Sequence, residues 1–159
     1  MTGAAGDGER GKGPIRVLFL CSHNSARSIF AEALLRRIGG REFEAHSAGV
    51  EATGIRPLTL RVLEESGVPT EGLHSKSLEQ FHGQPFDYAV TVCEPARQAC
   101  PVFPGARRML HWDFEDPSAA VGSEEEQLAV YRRVFAGIEG RVNALVAALR
   151  EERVEQPVP

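Results

Sequence analysis

The stretch Cys21-Ser22-His23-Asn24-Ser25-Ala26-Arg27-Ser28 decides the fold of this chain, because a predicted strand precedes it and a predicted helix follows it. The strand contains the apolar run 17–20, and the helix opens with the apolar-rich residues 29–35. A short loop of small residues in this position directs backbone N–H groups and the positive end of the helix dipole into its own concavity. We therefore predict that the loop binds a tetrahedral oxyanion.

The side chains of this loop indicate nucleophilic chemistry. Cys21 ends the strand and would place its sulfur in the oxyanion cradle. Oriented N–H groups, the Arg27 guanidinium and the Ser28 hydroxyl are influences that lower a thiol pKa from about 8.5 to roughly 3.5–7.5. We predict Cys21 as the nucleophile, and the predicted oxyanion-binding residues are Ser22, His23, Asn24, Ser25, Ala26, Arg27 and Ser28. A Cys-x5-Arg pattern alone is weak evidence, and the alternative is a structural cysteine near a surface arginine.

Composition limits the classes of protein to which the chain can belong. Its 159 residues predict one catalytic domain, residues 14–152, between a Gly-rich, disordered N-terminal tail, residues 1–13, and a C-terminal tail, residues 153–159. The net charge of −4 gives no reason to expect nucleic acid or a membrane surface as a partner. No apolar run approaches the roughly 20 residues of a membrane span, and the N-terminus lacks a signal core, so we expect a cytoplasmic protein.

The three cysteines and five histidines argue against two other kinds of site. Three cysteines in a cytoplasmic chain do not form a disulfide framework, which leaves catalytic or metal chemistry. The histidines are scattered singly and no Cys-x-x-Cys occurs, which disfavours a zinc site.

Apolar runs alternate with helical patterns along the chain, which predicts an α/β domain. We expect a single four-stranded parallel sheet with helices on both faces. The predicted strands are about residues 15–20, 43–47, 87–93 and 108–112, with helices ending near 38, opening at 57, and opening with a capping box at 123. Residues 74–81 and 94–107 do not decide between loop and short helix. The loop after the first strand then lies at the carboxyl edge of the sheet, where such folds bind ligands.

Asp116 is the candidate general acid. Displacement at the central atom of a tetrahedral oxyanion requires protonation of the departing oxygen, and Pro117 restricts Asp116 to extended backbone angles that fix the direction of its carboxyl group. Asp-Pro is also an ordinary turn signal, so the pair by itself does not establish the role.

These motifs resemble the phosphate-binding loop of the low-molecular-weight protein tyrosine phosphatases and of the thioredoxin-coupled arsenate reductases that share their fold. Cys93 and Cys100 favour the reductase branch. In those reductases a cysteine pair with this six-residue gap, at the end of the third strand, performs the redox chemistry. Ala26 replaces the second loop cysteine typical of the phosphatases, and no tyrosine pair follows Pro117. The resemblance spans about residues 16–146.

The resemblance implies an oxidoreductase of arsenic resistance that reduces arsenate, with phosphate and sulfate as competing anions and thioredoxin as reductant. Its implied catalytic residues are Cys21, Arg27, Ser28, Cys93, Cys100 and Asp116. The implied chemistry is a relay in which Cys93 attacks Cys21, and Cys100 then attacks Cys93. We expect a monomer without a tightly bound cofactor.

Two departures from the family accompany the resemblance. His23 stands where many members have glycine. Some members bind potassium through residues that match Asn24, Glu32 and Ser47, but the fourth, acidic ligand appears here as Ser77, so we expect at most a weak site. Glu32 could equally be an exposed helix residue.

Two alternatives remain open. The first is a phosphatase that hydrolyses phosphotyrosine or small phosphoesters through a phosphocysteine, and weak activity of this kind could accompany the reductase. The second is a non-enzymatic thiol sensor or oxyanion-binding protein.

Overall fold

The computed structural model describes the backbone of residues 13–155 and the side chains of residues 13–153. Most of both predicted tails, residues 1–12 and 156–159, lies outside the described part. The last helix continues to Glu155, three residues past the predicted end of the domain at 152.

Four strands and four α-helices alternate along the described chain. In order they are β1 (Ile15–Cys21), α1 (Arg27–Gly39), β2 (Phe43–Gly49), α2 (Pro57–Glu65), β3 (Phe86–Thr91), α3 (Glu94–Ala99), β4 (Ala106–His111) and α4 (Glu124–Glu155). Leu78–Phe81, in the first undecided segment, forms a 3-10 turn, and the second undecided segment contains α3. β2 is two residues longer than predicted, and β3 ends at Thr91, so Cys93 begins a helix instead of ending a strand.

Local sequence signals account for the starts of two helices. Pro57 occupies the first turn of α2, where its missing N–H leaves no hydrogen bond unmade. At α4 the predicted capping box is confirmed, because Glu126 N donates to Ser123 Oγ at 3.1 Å and Ser123 N donates to Glu126 Oε1 at 2.8 Å.

The sheet has four parallel strands in the order β2-β1-β3-β4, which confirms the predicted α/β class with a single four-stranded parallel sheet. β1 is therefore central, and its last residue, Cys21, pairs with Gly49 at the end of β2. The carboxyl ends of the strands meet at one edge, so the loop after β1 lies beside the residues that follow β2, β3 and β4.

The two faces of the sheet carry separate apolar clusters. Val17 and Phe19 of β1 pack against α1, α2 and α4, while Leu18 and Leu20 point to the opposite face. On that face they pack with a smaller set of side chains, namely Ala48 of β2, Phe86 and Ala89 of β3, and Phe81 and Phe103 from the connecting segments. Burial of β1 on both faces explains its continuous apolar sequence.

Gly49 brings the end of β2 against the oxyanion loop. A Cβ atom at this position would lie 2.6 Å from Asn24 N and 2.7 Å from the backbone carbon of His23. We expect Gly49→Ala to destabilise the protein by about 1–3 kcal/mol, because backbone atoms must move to admit the methyl group.

Urea unfolding monitored by circular dichroism measures this effect. Gly140→Ala is the control, because a Cβ there meets nothing within 4 Å and alanine favours a helix over glycine by about 1 kcal/mol. An unchanged unfolding midpoint for Gly49→Ala would contradict the close approach.

Candidate active site

Cys21 lies at the centre of the loop with its sulfur inside the concavity. The residue is 2 % exposed; its Sγ lies 2.8 Å from Ser28 Oγ and accepts a hydrogen bond of 3.2 Å from Asn24 N. Both contacts stabilise a thiolate, because each can place a donor hydrogen on the sulfur. This is the arrangement that a nucleophilic cysteine requires.

Asn24 holds the loop in its curved form. Its φ of 52° lies in the left-handed region, which asparagine tolerates better than most residues. The buried side chain donates from Nδ2 to Ser28 Oγ at 2.7 Å and to Ser47 Oγ at 2.9 Å, and its Oδ1 accepts from Lys76 N at 2.7 Å. Asn24 therefore joins the loop to β2 and to the segment around Lys76.

The rest of the loop is held by its backbone. Ser25 O accepts hydrogen bonds from Thr59 Oγ1 at 2.9 Å and from Arg56 N at 3.1 Å. Ala26 is buried at the start of α1, where its carbonyl accepts from Phe30 N at 2.8 Å. These bonds fix the loop between α1 and α2.

His23 is a partly exposed residue of the loop. Its side chain is 47 % exposed, and Nε2 lies 4.0 Å from a carboxylate oxygen of Glu51. The imidazole that stands in place of the family's glycine is therefore at the surface beside the loop, and it does not fill the cradle.

Arg27 closes the loop from the first turn of α1. The residue is 8 % exposed, Nη1 donates to Phe114 O at 3.1 Å, and Nη2 lies 3.7 Å from Asp116 Oδ2. The guanidinium is thus held by the segment that carries the candidate acid. Arg27 was predicted from the loop motif and Asp116 from the family resemblance, and the structure brings the two residues together.

Asp116 is hydrogen-bonded as a carboxylate. Its Oδ1 accepts from Ser118 N at 3.0 Å and from Ser118 Oγ at 2.7 Å. Burial alone would raise the pKa of Asp116, but the Ser118 hydrogen bonds and the nearby Arg27 charge outweigh it, so the pKa is lowered from its ordinary value. An oxyanion in the loop would compete for Arg27 and repel the carboxylate, and both effects favour the protonated form that a general acid needs.

Cys93 and Cys100 flank α3. Cys93 is 1 % exposed at the N-cap position, and its Sγ lies 3.4 Å from Ser22 Oγ of the loop. Cys100 follows the helix, is half-buried, and contacts Val102 O through Sγ at 3.5 Å. Burial raises the pKa of Cys100. All three cysteines are free thiols.

Side chains of β3 and β4 hold the first turn of α3. His111 Nδ1 lies 2.8 Å from Thr91 Oγ1, and Nε2 lies 3.5 Å from Glu94 Oε1. Glu94 also suits the positive end of the helix dipole.

Three residues of the site were not found from the sequence. Ser118 and Thr59 position Asp116 and Ser25, and Lys76 is buried against Glu32 with Nζ 3.5 Å from Oε1. Burial lowers the pKa of Lys76, and the charge of Glu32 acts in the opposite direction. Only Ser118 had a sequence signal, since a serine two residues after aspartate commonly closes an Asx turn.

The candidate potassium residues Asn24, Glu32 and Ser47 do lie together and are buried. The alternative that Glu32 is an exposed helix residue is therefore wrong. Within residues 13–155 no group of three or more histidine, cysteine, aspartate or glutamate side chains could hold a metal ion. In the same range, no helix has the length and apolarity needed to cross a membrane.

Comparison with known proteins gives a consistent result. Residues 16–155 match the model of the low molecular weight phosphotyrosine protein phosphatase family. The chain is 37% identical over 126 residues to an arsenate reductase of Halalkalibacterium halodurans, covering 79% of this chain and 91% of that protein.

Two solved structures are similar as well. An arsenate reductase from Archaeoglobus fulgidus has a TM-score of 0.68 at 36% identity, covering 82% of this chain and 98% of that one. A thioredoxin-dependent arsenate reductase from Corynebacterium glutamicum has a TM-score of 0.68 at 27% identity, covering 94% of this chain and 73% of that one. Because the family model matches residues 16–155, nearly all of the described chain, the chain belongs to the low molecular weight phosphotyrosine protein phosphatase family, whose fold these arsenate reductases share.

Proposed function

We propose that this protein is an arsenate reductase that uses three thiols in succession. Cys21 binds arsenic, a Cys21–Cys93 disulfide forms, this disulfide is exchanged for a Cys93–Cys100 disulfide, and thioredoxin restores the thiols. The observation that carries the proposal is the position of Cys93, whose sulfur lies 3.4 Å from a hydroxyl of the oxyanion loop. A phosphatase needs one thiol at the loop, whereas a reductase needs a second thiol within reach of the first. The arsenate reductases among its relatives support the same conclusion.

In the first step the loop binds arsenate through its N–H groups and Arg27. The Cys21 thiolate attacks arsenic, an S–As bond forms, and an As–O bond breaks as Asp116 transfers its proton to the departing oxygen, which leaves as water. Arsenic remains As(V). Ser28 stabilises the thiolate before the attack, at 2.8 Å from the sulfur.

The second step is the reduction. The Cys93 thiolate attacks Cys21 Sγ, an S–S bond forms, and the S–As bond breaks with its electron pair retained by arsenic, which leaves as arsenite. Cys93 stands at the N-terminus of α3, and its Sγ lies 3.4 Å from the Ser22 hydroxyl, beside the loop that holds Cys21.

The third step frees the nucleophile. The Cys100 thiolate attacks Cys93 Sγ, Cys21 leaves as a thiolate, and a Cys93–Cys100 disulfide remains for the thioredoxin dithiol to reduce. Burial raises the pKa of Cys100, which favours the thiol over the thiolate in the reduced protein.

The test is arsenate-dependent NADPH oxidation with thioredoxin and thioredoxin reductase. We expect steady turnover that requires all three proteins and yields one arsenite per NADPH. Turnover with glutathione and glutaredoxin but not with thioredoxin would overturn the assignment of the reductant. Tight arsenate binding without turnover would favour an oxyanion-binding protein instead.

The relay predicts that α3 unwinds when it is oxidised. At a rise of about 1.5 Å per residue, helical geometry places the Cα atoms of Cys93 and Cys100 about 10.5 Å apart, whereas a disulfide allows only about 4.4–6.8 Å. We expect the amides of residues 94–100 to exchange hydrogen markedly faster in the oxidised protein. Among these amides, those of Arg97 and Cys100 donate to Cys93 O and Ala96 O in the reduced form. Mass-spectrometric hydrogen exchange on both redox states measures this, with α1 as internal reference, and equal protection of residues 94–100 would contradict the relay.

Ser118 is expected to set the pH range of the acid. Ser118→Ala removes a hydrogen bond that stabilises the Asp116 carboxylate, so the pKa of Asp116 rises and its protonated, active form persists to higher pH. The falling limb of the kcat–pH profile should therefore move to higher pH.

The measurement is the pH dependence of kcat for the wild type and the variant. Ser123→Ala, which removes the N-cap hydrogen bond of α4 and no hydrogen bond of Asp116, is the control and should leave the limb unchanged. A limb that stays in place or moves downward in Ser118→Ala would remove Asp116 as the acid.

Weak phosphatase activity is a second candidate function of the same site. The Asp116 carboxylate lies 3.7 Å from Arg27, so one loop and one acid could also form and hydrolyse a phosphocysteine. Hydrolysis of p-nitrophenyl phosphate that is lost in Cys21→Ser tests it.

A further inference from the structure

Glu32 is a buried carboxylate that faces two cations. It is 1 % exposed; the Ser47 hydroxyl and the Lys76 ammonium approach Oε1, and Arg36 pairs with Oε2. Lys76 is itself 5 % exposed, and its Nζ donates to His74 O at 2.6 Å while lying 3.5 Å from Glu32 Oε1. A buried charge is stable only with such partners, so the pair is a built feature of the fold.

A potassium ion does not fit this arrangement. A hard monovalent cation needs free oxygen ligands. Asn24 instead turns its NH2 donors toward Ser47 and Ser28, and its Oδ1 is occupied by Lys76 N. Ser77 Oγ, in the position of the fourth ligand, accepts from Glu79 N at 3.3 Å. Potassium would also add a third positive charge beside one carboxylate.

The group that Lys76 neutralises is connected to the nucleophile by consecutive hydrogen bonds. Glu32 accepts from Ser47, Ser47 accepts from Asn24, and Asn24 donates to Ser28, whose hydroxyl lies 2.8 Å from Cys21 Sγ. A change in the charge balance at Glu32 would therefore alter the hydrogen bonds of Asn24, which holds the loop in its curved form.

We propose that the Lys76 ammonium serves as the resident monovalent cation of the hydrogen-bonded network formed by Glu32, Ser47, Asn24 and Ser28. Its charge keeps Asn24 and Ser28 in position and makes the enzyme independent of potassium. Lys76 touches neither substrate nor sulfur, so it is a positioning residue. The proposal deepens the proposed function and rests on it only for the effect on turnover. The charge replacement itself concerns folding of the reduced protein and needs no arsenate.

The oxygens that hold the ammonium suggest a direct test. Lys76→Ser removes the ammonium but leaves Glu32 Oε1, His74 O and the Ser47 hydroxyl around the vacated volume, which are ligands that suit potassium. The backbone bonds of residue 76 to Asn24 Oδ1 and from Gly49 N remain. The variant should therefore acquire the potassium dependence that the wild type lacks.

The first measurement is the thermal midpoint of the reduced protein, free of oxyanions, in potassium, sodium and choline chloride at about 100 mM, where exposed charges are equally screened. We expect wild type to show one midpoint in all three salts. Lys76→Ser should lie about 5 °C lower or more in choline and should recover at least half of that loss in potassium alone. Arg61→Ser, which removes an exposed cation paired with Glu124, is the control and should show neither effect.

The second measurement is kcat/KM for arsenate in the same salts. It should fall roughly tenfold or more in Lys76→Ser in choline and rise severalfold with potassium, mainly through kcat if Lys76 positions the nucleophile. If arsenate is not reduced at all but the thermal midpoints follow the expected pattern, the role of Lys76 as the resident cation is supported and the arsenate reductase function is rejected.

Three results would overturn the proposal. One is potassium-specific stabilisation or activation of the wild type, which requires no variant to fold. Another is a Lys76→Ser variant that matches wild type in choline, or one that potassium does not rescue more than sodium. The third concerns Lys76→Met, which keeps the length of the side chain without its charge. Adding Glu32→Gln to this variant should restore part of the loss in thermal midpoint. No recovery in the double variant would show that the unbalanced charge of Glu32 does not cause the loss.

Discussion

Cys93→Ser is expected to lose thioredoxin-coupled arsenate turnover by at least about 10³-fold while p-nitrophenyl phosphate hydrolysis, if present, stays near the wild-type rate. Without the Cys93 sulfur, no electron pair can be delivered to the S–As bond, so the reaction stops at the thiol-arsenate adduct. The loop, Arg27 and Asp116 are untouched, and a serine can keep the contact to Ser22 Oγ. The coupled NADPH assay and a phosphatase assay on the same protein measure the two activities.

Cys100→Ser is the matched control, because it removes the third thiol and leaves the second. It should release about one arsenite per enzyme in a single turnover, through the Cys21–Cys93 disulfide, and then stop. If Cys93→Ser sustained turnover near the wild-type rate, the relay would be wrong and a different thiol or an external reductant would have to attack Cys21.

Arg27→Lys is expected to lower kcat/KM by about 10²–10³-fold for arsenate and for the phosphoester alike. A lysine cannot present two parallel N–H donors to an oxyanion. It would also lose the 3.1 Å bond to Phe114 O, which holds the Asp116 segment over the loop. Steady-state kinetics with both substrates, together with the dissociation constant of phosphate, measure the loss.

Arg133→Lys is the corresponding control on the same segment. Arg133 pairs with Glu115, next to Asp116, but both side chains are more than half exposed. Exposed pairs contribute little, so this variant should match wild type within about twofold. An Arg27→Lys variant that kept its kcat/KM would show that the guanidinium does not bind the substrate.

Local patterns were sufficient for the fold class. β1 is apolar at every position from 17 to 20 because both of its faces are buried, and Pro57 and the Ser123 capping box mark helix starts through bonds within one turn. Such signals depend on neighbours a few residues apart, which a sequence displays directly. The six residues of the short helix α3 carry too few apolar positions to show a period, so the sequence alone does not distinguish a helix from a loop there.

The candidate site was predictable where its residues follow one another. Cys21, Arg27 and Ser28 belong to one loop. The proline after Asp116 is equally typical of an ordinary turn, so the role of Asp116 was identified through the resemblance to a known family. Cys93 and Cys100 were identified through their resemblance to a known family, and no periodicity indicates that Cys93 lies against Ser22.

The sequence by itself determined the alternation of strands and helices and the oxyanion loop at the end of the first strand, because these depend on residues that are close along the chain. Only the tertiary structure decided which distant groups support that loop: Gly49 against Asn24, Thr59 on Ser25, and Lys76 beside Glu32. The physical reason is that strand order and register set these contacts, and a buried ammonium is stable only where the folded chain places a carboxylate beside it.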